Sequence, residues 1–364
     1  MEKDAKIYVA GHRGLVGSAI WNNLQAKGYR RLVGRTSAEL DLRNPEEVKR
    51  FFDEERPEYV VLAAAKVGGI LANSRYRADF IFENLAIQQH VIGESFRHGV
   101  KKLLFLGSTC IYPRDARQPM KEDELLTSPL EYTNEPYAIA KIAGMKMCES
   151  FNLQYGCNYM AVMPTNLYGP NDNFDLERSH VLPALIRKFY LGRFLDEGDE
   201  ASLRNDLNRR PVEGVSGGSS IEEIYGILDK YGIRRTASGV EVEIWGSGRP
   251  LREFLWSEDM ADACVYIMER VDFTDLAHGH EIRNCHINIG TGREISIAQL
   301  VELIKRELGY KSRIRFNADK PDGTMRKLTD VSKLHALGWH HQVEIEEGIK
   351  RLAAWYLSSS AVYR

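Results

Sequence analysis

A tyrosine and a lysine four residues apart, Tyr137 and Lys141, come about thirty residues after an apolar run that ends near Ser108 and Cys110. On a helix, residues i and i+4 share a face, so the lysine charge is expected to favour the phenolate of Tyr137 and lower the pKa of the phenol. On an extended backbone, residues two apart point the same way, which would place the hydroxyl and the thiol together. The pattern predicts a pocket where one substrate carbonyl meets the phenol, the ammonium and the hydroxyl.

Three glycines, Gly11, Gly14 and Gly17, follow an apolar run at residues 6–10 and open a predicted amphipathic helix over 14–27. The short run fits a buried strand, and glycines permit a tight turn with close backbone approach. The N-terminus of such a helix can receive a pyrophosphate. A glycine-rich turn without a ligand is the alternative, but the order of strand, glycines and helix favours a dinucleotide site.

The second strand of a dinucleotide-binding fold often ends in an acidic residue that binds the ribose hydroxyls of NAD. Here that region carries Arg35, and Arg13 lies in the glycine loop. Two guanidiniums suit a 2′-phosphate better than a neutral ribose. Asp41 is assigned to the loop beneath the adenine. NADP(H) is therefore favoured over NAD(H).

Composition describes a soluble globular chain: 364 residues, 43% hydrophobic and 27% charged. The net charge of −2 gives no bulk electrostatic support for binding nucleic acid or an acidic membrane. No apolar run reaches the roughly 20 residues of a membrane span, and the first strand follows the initiating methionine too closely for a signal peptide. Five scattered cysteines without a Cys-x-x-Cys pair indicate reduced thiols and a cytoplasmic location. No metal site is predicted.

Strands and helices alternate through about residue 170, which predicts an α/β fold of the Rossmann type: a doubly wound parallel sheet with helices on both faces. The less regular remainder predicts a smaller C-terminal α/β domain for substrate. We therefore expect an NADP-binding domain at 1–170, with some later elements returning to it, and a substrate domain at 171–364. The predicted strands are 6–10, 31–35, 58–64, 101–107, 159–164, 241–245 and 286–289, and the predicted helices 14–27, 45–55, 75–98, 136–155, 179–192, 257–270, 296–308 and 344–357.

Several segments together resemble the GDP-L-fucose synthase family of the extended short-chain dehydrogenase/reductases, from about residue 5 to 357. The Ser-Thr-Cys-Ile-Tyr-Pro run at 108–113 and the Ser-His-Val run at 179–181 are specific to this branch, whereas Tyr-x-x-x-Lys implies only the superfamily. The other segments that carry the resemblance are 11–17, 63–70, 134–141 and 163–170. The resemblance implies 3,5-epimerisation of GDP-4-keto-6-deoxy-D-mannose followed by its reduction with NADPH.

By this resemblance Cys110 is the base and His180 the acid of the epimerisation, and a thiol and an imidazole can both exchange protons near neutral pH. Ser108 and Tyr137 would hold the C4 oxyanion, Lys141 would polarise Tyr137 and bind the nicotinamide ribose, and Tyr137 would deliver the final proton. The residues predicted to bind the cofactor are Gly11, His12, Arg13, Gly14, Leu15, Val16, Gly17, Arg35, Asp41, Leu106, Gly107, Ser108, Lys141, Pro164, Thr165, Asn166, Leu167 and His180.

The nucleotide end of the substrate needs cations and a flat surface. By resemblance, Lys188, Arg252 and Lys327 lie near the GDP moiety, Trp245 packs its indole against the nucleotide, and Asn166 hydrogen-bonds the substrate. The family also implies a homodimer formed through the long helices near 75–98 and 136–155.

One stretch, from about 193 to 240, departs from the family pattern as an insertion of about forty residues. Residues 214–219 read as a Gly/Ser linker, and Ser220 with Glu223 resembles a capping box for an amphipathic helix. We expect this helix to dock on the small domain or on a partner chain, and the insertion as a whole to be a tolerated surface addition.

Four functions remain open on the sequence alone. The first is GDP-L-fucose synthesis, and the second is the same chemistry on another GDP-4-keto sugar, such as a colitose or heptose precursor. The third is an NAD-dependent 4,6-dehydratase or 4-epimerase, against which Arg35 and the sequence Cys-Ile-Tyr at 110–112 argue. The fourth is a non-catalytic NADP sensor or scaffold, which the retention of every catalytic side chain disfavours.

Overall fold

A computed structural model describes residues 1–237, 239–279, 281–320 and 322–358, without the side chains of residues 70 and 71. The chain divides into two compact units. Unit 1 comprises Met1–Asn171, Glu253–Arg293 and Lys327–Val343. Unit 2 comprises Asp172–Arg252, Glu294–Arg326 and the described residues from Glu344 onward.

Unit 1 is built on a six-stranded sheet in which every neighbouring pair of strands is parallel. Its strands run in the order β2, β1, β3, β4, β5 and β11, so the order reverses between β1 and β3. At such a reversal the loops at the carboxyl ends of the strands open a crevice, where ligands bind in folds of this kind. The strands are β1 (Lys6–Ala10), β2 (Arg31–Val33), β3 (Tyr59–Leu62), β4 (Lys102–Leu106), β5 (Tyr159–Pro164) and β11 (Ile287–Ile289).

Apolar side chains on both faces hold this sheet between helices. Along β1, Ile7 and Val9 belong to one hydrophobic cluster, whereas Tyr8 and Ala10 belong to another. Because successive strand residues point to opposite faces, each cluster covers one face of the sheet. The helices of unit 1 are α1 (Leu15–Ala26), α2 (Pro45–Glu55), α3 (Ile70–Arg75), α4 (Arg77–Arg97), α5 (Glu135–Tyr155), α9 (Ser257–Arg270) and α11 (Ser332–Ala336), and β6 (Asn166–Tyr168) pairs with β10 (Phe254–Trp256) in a small separate sheet.

The sequence predictions for this unit hold in type and order, and the Rossmann-type fold class is confirmed. Many of the boundaries differ from the predicted ones by one or two residues. Strand β2 ends at Val33, two residues earlier than predicted, and the helix predicted over 75–98 is preceded by the short helix α3, which ends at Arg75.

Unit 2 contains a three-stranded sheet in which β8 (Gly239–Trp245) pairs with β7 (Ile233–Thr236) on one side and β13 (Arg313–Asn317) on the other. Helix α6 (Val181–Glu197) packs against β8. The remaining elements are α7 (Glu200–Arg209), α8 (Ile221–Lys230), β9 (Leu251–Arg252), β12 (Ile295–Ser296), α10 (Ile297–Glu307), β14 (Arg326–Lys327) and α12 (Ile345–Ser358). Of the two residues of β14, Arg326 belongs to unit 2 and Lys327 to unit 1.

The insertion is more deeply built into unit 2 than the sequence predicted. Helix α8 is present with the expected capping box between Ser220 and Glu223. Helix α7, however, was not predicted, and it buries Leu203, Asp206 and Leu207. The expectation of a tolerated surface addition is therefore corrected, because removing the segment would uncover apolar side chains and a buried carboxylate.

No helix in the described ranges combines the length and the apolar character that crossing a membrane requires.

Candidate active site

The turn after β1 has the geometry of a phosphate-binding loop. Gly11 has a φ of +82°, and a Cβ there would lie 2.9 Å from the backbone nitrogen of Ala64. A Cβ at Gly17 would lie 2.1 Å from the carbonyl oxygen of Gly11, so only glycine lets α1 approach the turn this closely. Gly14 has ordinary space and precedes the helix as its N-cap.

The N-terminus of α1 suits an anion. No side chain caps it and its first turn contains no acidic residue, so its backbone N–H groups face outward without a carboxylate in competition. His12 packs on Trp21 with ring centroids 5.4 Å apart, and burial lowers the pKa of its imidazole. Arg13 follows in the loop, and Leu15 and Val16 form the first turn of the helix. These features fit the pyrophosphate of a dinucleotide.

Arg35 lies two residues beyond β2, on the loop where a 2′-phosphate is expected. Its guanidinium donates to the carboxylate of Glu55 over 2.5 Å, and Glu55 also pairs with Lys6 at 3.2 Å. The position fits the prediction, but the guanidinium is held by a carboxylate that a phosphate must displace. Asp41 is bound by Arg43, with Nε to Oδ1 at 2.9 Å, and this partner lowers the pKa of the Asp41 carboxyl.

Ser108 and Cys110 lie at the carboxyl end of β4, where the chain leaves the sheet. Ser108 is extended, with φ −165°, but Thr109–Ile111 form a single 3-10 turn. The Ser108 hydroxyl accepts the backbone N–H of Cys110 at 3.2 Å. The expectation of an extended backbone through Cys110 is therefore corrected, since the turn and not strand alternation sets the direction of the thiol.

Tyr137 and Lys141 lie on the first two turns of α5, which comes close to β4 because Gly144 has no side chain: a Cβ there would lie 2.5 Å from the ring of Phe105. Tyr137 makes an edge contact with Phe80, with ring centroids 6.3 Å apart. Burial is the main cause that raises the pKa of the phenol, the charge of Cys110 adds to it, and a hydrogen bond with Ser108 opposes it. Ser108, Cys110 and Tyr137 are therefore neighbours, as the sequence predicted.

The expected effect of Lys141 on the phenol is corrected by the geometry. Its ammonium donates to the carbonyl oxygen of Leu106 at 2.7 Å and lies 5.8 Å from the centre of the Tyr137 ring. Burial lowers the pKa of Lys141 to about 7. A lysine with this pKa carries only part of its positive charge at neutral pH, so it does not hold Tyr137 as a phenolate. Desolvation keeps the phenol protonated in the protein without a bound cofactor.

The other residues predicted to bind the cofactor follow the carboxyl ends of β4 and β5. Gly107 donates to the carbonyl of Val162 at 2.8 Å, and Thr165 donates to that of Ile289 at 2.9 Å. The side chain of Asn166 donates to the carbonyl of Glu253 at 2.8 Å, which ties β6 to the residue before β10. Leu106, Pro164 and Leu167 lie on these same strands.

Unit 2 carries His180, which is the N-cap residue of α6 and makes no side-chain capping bond. His180 is exposed as a whole residue, but desolvation by the surrounding protein lowers the pKa of its imidazole.

Three of the residues predicted to contact the nucleotide also lie in unit 2. Lys188 donates to the carbonyl of Glu243 at 3.1 Å, and burial lowers its pKa to about 8. Burial also lowers the pKa of Arg252. Trp245 is 52% exposed as a residue, and the ammonium of Lys320 lies 5.1 Å from the centre of its ring. An exposed indole beside a cation suits a base and its phosphates.

The fourth such residue, Lys327, lies in unit 1, and its ammonium is 3.6 Å from the sulfur of Cys110. Sequence reasoning missed this neighbour, because 217 residues separate the two positions and no spacing rule joins them. It also missed Tyr112, whose buried hydroxyl bonds to His286 Nε2 at 3.0 Å, although Tyr112 stands two residues from Cys110. Within the described residues, no group of three or more acidic, histidine or cysteine side chains is placed to hold a metal.

The profile of the NAD dependent epimerase/dehydratase family matches residues 7–212 and 223–290. The chain therefore belongs to this family of extended short-chain dehydrogenase/reductases. Within it, the chain groups with the GDP-L-fucose synthases, as the resemblance indicated. It is 47% identical to GDP-L-fucose synthase 1 of Arabidopsis thaliana, covering 98% of this chain and 95% of that one. It is 46% identical to the GDP-L-fucose synthase of Escherichia coli K12, covering 99% and 98%.

A solved structure agrees in fold and adds a ligand. The GDP-mannoheptose C4 reductase MlghC of Campylobacter jejuni superposes with a TM-score of 0.85 at 44% identity, covering 98% of this chain and 99% of that one. That structure is described with NADP bound. This relative is named for C4 reduction of a heptose, whereas the relatives above are named for synthesis of a 6-deoxy sugar. Similar proteins therefore differ in the sugar on which they act.

Proposed function

We propose that this chain is an NADPH-dependent GDP-L-fucose synthase, which epimerises C3 and C5 of GDP-4-keto-6-deoxy-D-mannose and reduces C4. One observation carries the proposal: Ser108, Cys110 and Tyr137 are neighbours, and Lys141 lies beside the Tyr137 ring, at the carboxyl ends of the strands in a member of this family. A pure reductase needs the phenol, the hydroxyl and the lysine, but it does not need the thiol.

Epimerisation needs a base that removes a proton beside the ketone and an acid that returns one from the other face. We assign Cys110 as the base: its sulfur takes the proton, the C–H electron pair forms an enolate, and the negative charge moves onto the C4 oxygen. The hydroxyl of Ser108 and the phenol of Tyr137 are the donors that would hold this oxygen. We assign His180 as the acid, and a lowered pKa makes its imidazolium a stronger proton donor.

Reduction uses the same oxygen and a different proton. NADPH, when bound, supplies the hydride that C4 accepts. The raised pKa of Tyr137 keeps its phenol protonated at neutral pH, so the proton is available for the C4 oxygen. The glycine turn and the uncapped N-terminus of α1 are proposed to hold the pyrophosphate, Arg13 and Arg35 the 2′-phosphate, and Lys141 the nicotinamide ribose.

The two half-reactions separate in D₂O. Proton NMR of the 4-keto sugar reports deuterium uptake at C3 and C5, and the absorbance of NADPH reports reduction. Cys110→Ser replaces the thiol with a hydroxyl that hardly ionises near pH 7, so we expect uptake to fall about a hundredfold or more. His180→Gln is expected to impair epimerisation as well. Tyr137→Phe is expected to slow reduction by about a hundredfold or more while exchange persists.

Cys157→Ser is the matched control for loss of a thiol, because Cys157 is partly exposed and lies outside the site. Exchange at both carbons at the unaltered rate in Cys110→Ser would show that the base is another group.

A second candidate is the same chemistry, or C4 reduction alone, on a GDP-4-keto-heptose. The relationship to the Campylobacter heptose reductase supports it. Comparing kcat/KM for the 6-deoxymannose and the heptose ketones, with and without prior epimerisation, distinguishes the two. A preference of more than about tenfold for a heptose, equal to about 1.4 kcal/mol, would favour the second candidate.

We also propose a homodimer formed through α4 and α5 and a cytoplasmic location. Exposed apolar residues on these helices support the dimer: Phe82 is 73% exposed, and Leu153 and Tyr155 are each 52% exposed. Five free cysteines support a reducing compartment. Cell fractionation tests the location.

A further inference from the structure

The thiol of Cys110 has a cationic neighbour from a distant part of the chain. The Lys327 ammonium lies 3.6 Å from the Cys110 sulfur, and both residues belong to unit 1. This distance is within the range of a hydrogen bond from an ammonium to sulfur. In general, a positive charge attracts a thiolate more strongly than it attracts a neutral thiol.

The backbone that carries Lys327 is fixed by a buried carboxylate. Glu253 has no exposed surface, and one of its oxygens accepts the backbone N–H of Thr329 at 2.9 Å. Its other oxygen accepts the backbone N–H groups of Thr291 and Gly292 at 2.6 and 2.7 Å. Leu328, the residue after Lys327, is held as well. Its backbone N–H donates to the side-chain oxygen of Gln118, and its carbonyl accepts the backbone N–H of Met120, both at 2.8 Å. The lysine is therefore presented from a rigid segment.

The turn that carries Cys110 is fixed independently. Its backbone N–H is bound by Ser108, and Tyr112 anchors the other end of the turn through bonds to His286 and Asn288. Asn288 is itself held by the carboxylate of Glu122, with its backbone N–H 3.0 Å from Oε1. Separate sets of hydrogen bonds therefore hold the backbone of Cys110 and the backbone of Lys327. Together they keep the sulfur and the ammonium close to each other.

The neighbours of residue 110 include one cation and one phenol. The Lys327 ammonium contacts the sulfur, Tyr137 interacts electrostatically with Cys110, and the Ser108 hydroxyl binds the backbone N–H of Cys110. Lys327 forms no ion pair with a carboxylate in the described part of the chain, whereas the guanidinium of neighbouring Arg326 pairs with Glu294 at 2.7 Å. Among the described residues, therefore, no carboxylate neutralises the charge of Lys327.

We propose that Lys327 is the counter-cation of the Cys110 thiolate, a residue that keeps the epimerisation base ionised. In the step itself the sulfur takes a proton from the carbon beside the ketone, the C–H pair becomes part of the enolate, and the thiolate charge disappears from sulfur and reappears on the C4 oxygen. The role rests on the proposed function, and it assigns to Lys327 a task at the sugar in place of the predicted contact with the nucleotide.

The direct test needs no substrate. Alkylation of Cys110 by iodoacetamide is followed by mass spectrometry of its peptide between pH 5 and pH 10, in the unaltered protein and in Lys327→Met and Lys327→Arg. We expect the Met variant to alkylate at least about tenfold more slowly at pH 7, with its profile displaced by about one pH unit or more, because only the thiolate reacts. The Arg variant keeps the charge and is expected to stay near the unaltered profile.

Two controls are built into this experiment. The peptide containing Cys157 is measured in the same digests, and its profile is expected to be identical in all samples. Arg326→Gln removes the adjacent cation that faces Glu294 and is expected to leave Cys110 unaffected. Coincident Cys110 profiles in Lys327→Met and the unaltered protein would overturn the proposal, provided that NADPH binding shows both to be folded.

Turnover distinguishes this role from nucleotide binding. If Lys327 supports the base, Lys327→Met lowers kcat for deuterium uptake at C3 and C5 about tenfold or more and changes KM little. A raised KM with an unaltered alkylation profile would instead assign the lysine to the nucleotide and reject the counter-cation. Should the unaltered protein turn over no GDP-4-keto sugar, the proposed function fails, yet the alkylation profile still decides whether Lys327 controls the thiol.

Discussion

At the scale of single residues, burial sets the protonation states of the catalytic groups. It raises the pKa of Tyr137 and lowers that of Lys141, so both tend toward their neutral forms. A neutral phenol can deliver a proton to the C4 oxygen, and a lysine with a pKa of about 7 regains its charge when an anionic cofactor binds nearby. Binding of the cofactor is thus expected to restore the positive charge of Lys141 beside Tyr137.

Cofactor preference is predicted to depend on Arg35. Losing a charge-assisted hydrogen bond costs about 1.5–3 kcal/mol, so Arg35→Ala should raise KM for NADPH by roughly 10- to 150-fold. KM for NADH should change little, since NADH lacks the 2′-phosphate. Steady-state kinetics with both coenzymes measures this.

Two further variants sharpen the result. Glu55→Gln removes the carboxylate that holds the guanidinium, and we expect it to lower KM for NADPH modestly. Lys49→Ala removes an exposed cation that pairs with Asp53 on the same helix α2, and it should leave both KM values unchanged. Equal kinetics with NADPH and NADH in the unaltered protein would contradict the assignment of Arg35.

Asp172 is predicted to make stability fall as pH rises. Burial raises the pKa of its carboxyl to about 7, the backbone N–H of Asn173 opposes this, and Oδ2 has no partner among the described residues. Because the unfolded chain loses this proton near pH 4, the folded state binds more protons between pH 4 and 7 and loses stability there. Asp172→Asn removes the titration, so the variant should gain roughly 2–4 kcal/mol relative to the unaltered protein between those pH values.

Urea unfolding at pH 4.5 and at pH 8, followed by circular dichroism, tests this difference. An equal difference in unfolding free energy between the two proteins at both pH values would show that Asp172 titrates normally.

At the scale of elements, the insertion supplies the partner of a buried charge. Arg187 on α6 has no exposed surface, and its guanidinium donates to Asp206 on α7 at 3.0 Å and to the carbonyl of Phe174 at 3.1 Å. The hydroxyl of Tyr356 on α12 also bonds to Asp206. One carboxylate therefore joins three helices of unit 2.

Asp206→Ala is predicted to destabilise the protein by about 3–5 kcal/mol, because it leaves the Arg187 charge buried without its anion. Deleting residues 200–236 removes the same partner, and we expect the product to be insoluble or to unfold at much lower urea concentrations. Glu200→Ala serves as the control, since Glu200 forms an exposed pair with Arg204 on the same helix. Urea midpoints measure the effect, and a loss below about 1 kcal/mol in Asp206→Ala would match an exposed pair instead.

At the scale of the whole molecule, the proposed dimer is predicted to break when a charge enters its interface. Phe82→Glu would bury a carboxylate between two copies, which costs several kcal/mol. We therefore expect the dissociation constant of the dimer to rise at least about a hundredfold. Leu357→Glu places the same charge on an exposed apolar position of α12, outside the proposed interface. Light scattering coupled to size-exclusion chromatography should find a dimer for the control and a monomer for Phe82→Glu. A monomeric unaltered protein would remove the basis of the proposal.

The sequence by itself determined what depends on local pattern. Apolar runs and helical periodicity predicted the strands and helices of unit 1, and the glycines at 11, 14 and 17 predicted the turn after β1. The parallel order of strand and helix then brought Ser108 and Tyr137 to one edge of the sheet, since carboxyl ends of parallel strands meet there.

The tertiary structure alone decided what depends on distance and burial. It placed Lys327 beside Cys110, and it buried the charge of Arg187 next to Asp206 on α7. It also directed the Lys141 ammonium to the carbonyl of Leu106, so that Lys141 does not ionise Tyr137. Residues far apart in the chain meet only after folding, and desolvation depends on every atom that surrounds a group. For these reasons spacing and composition predicted which residues belong to the site, whereas their charges and partners followed from the fold.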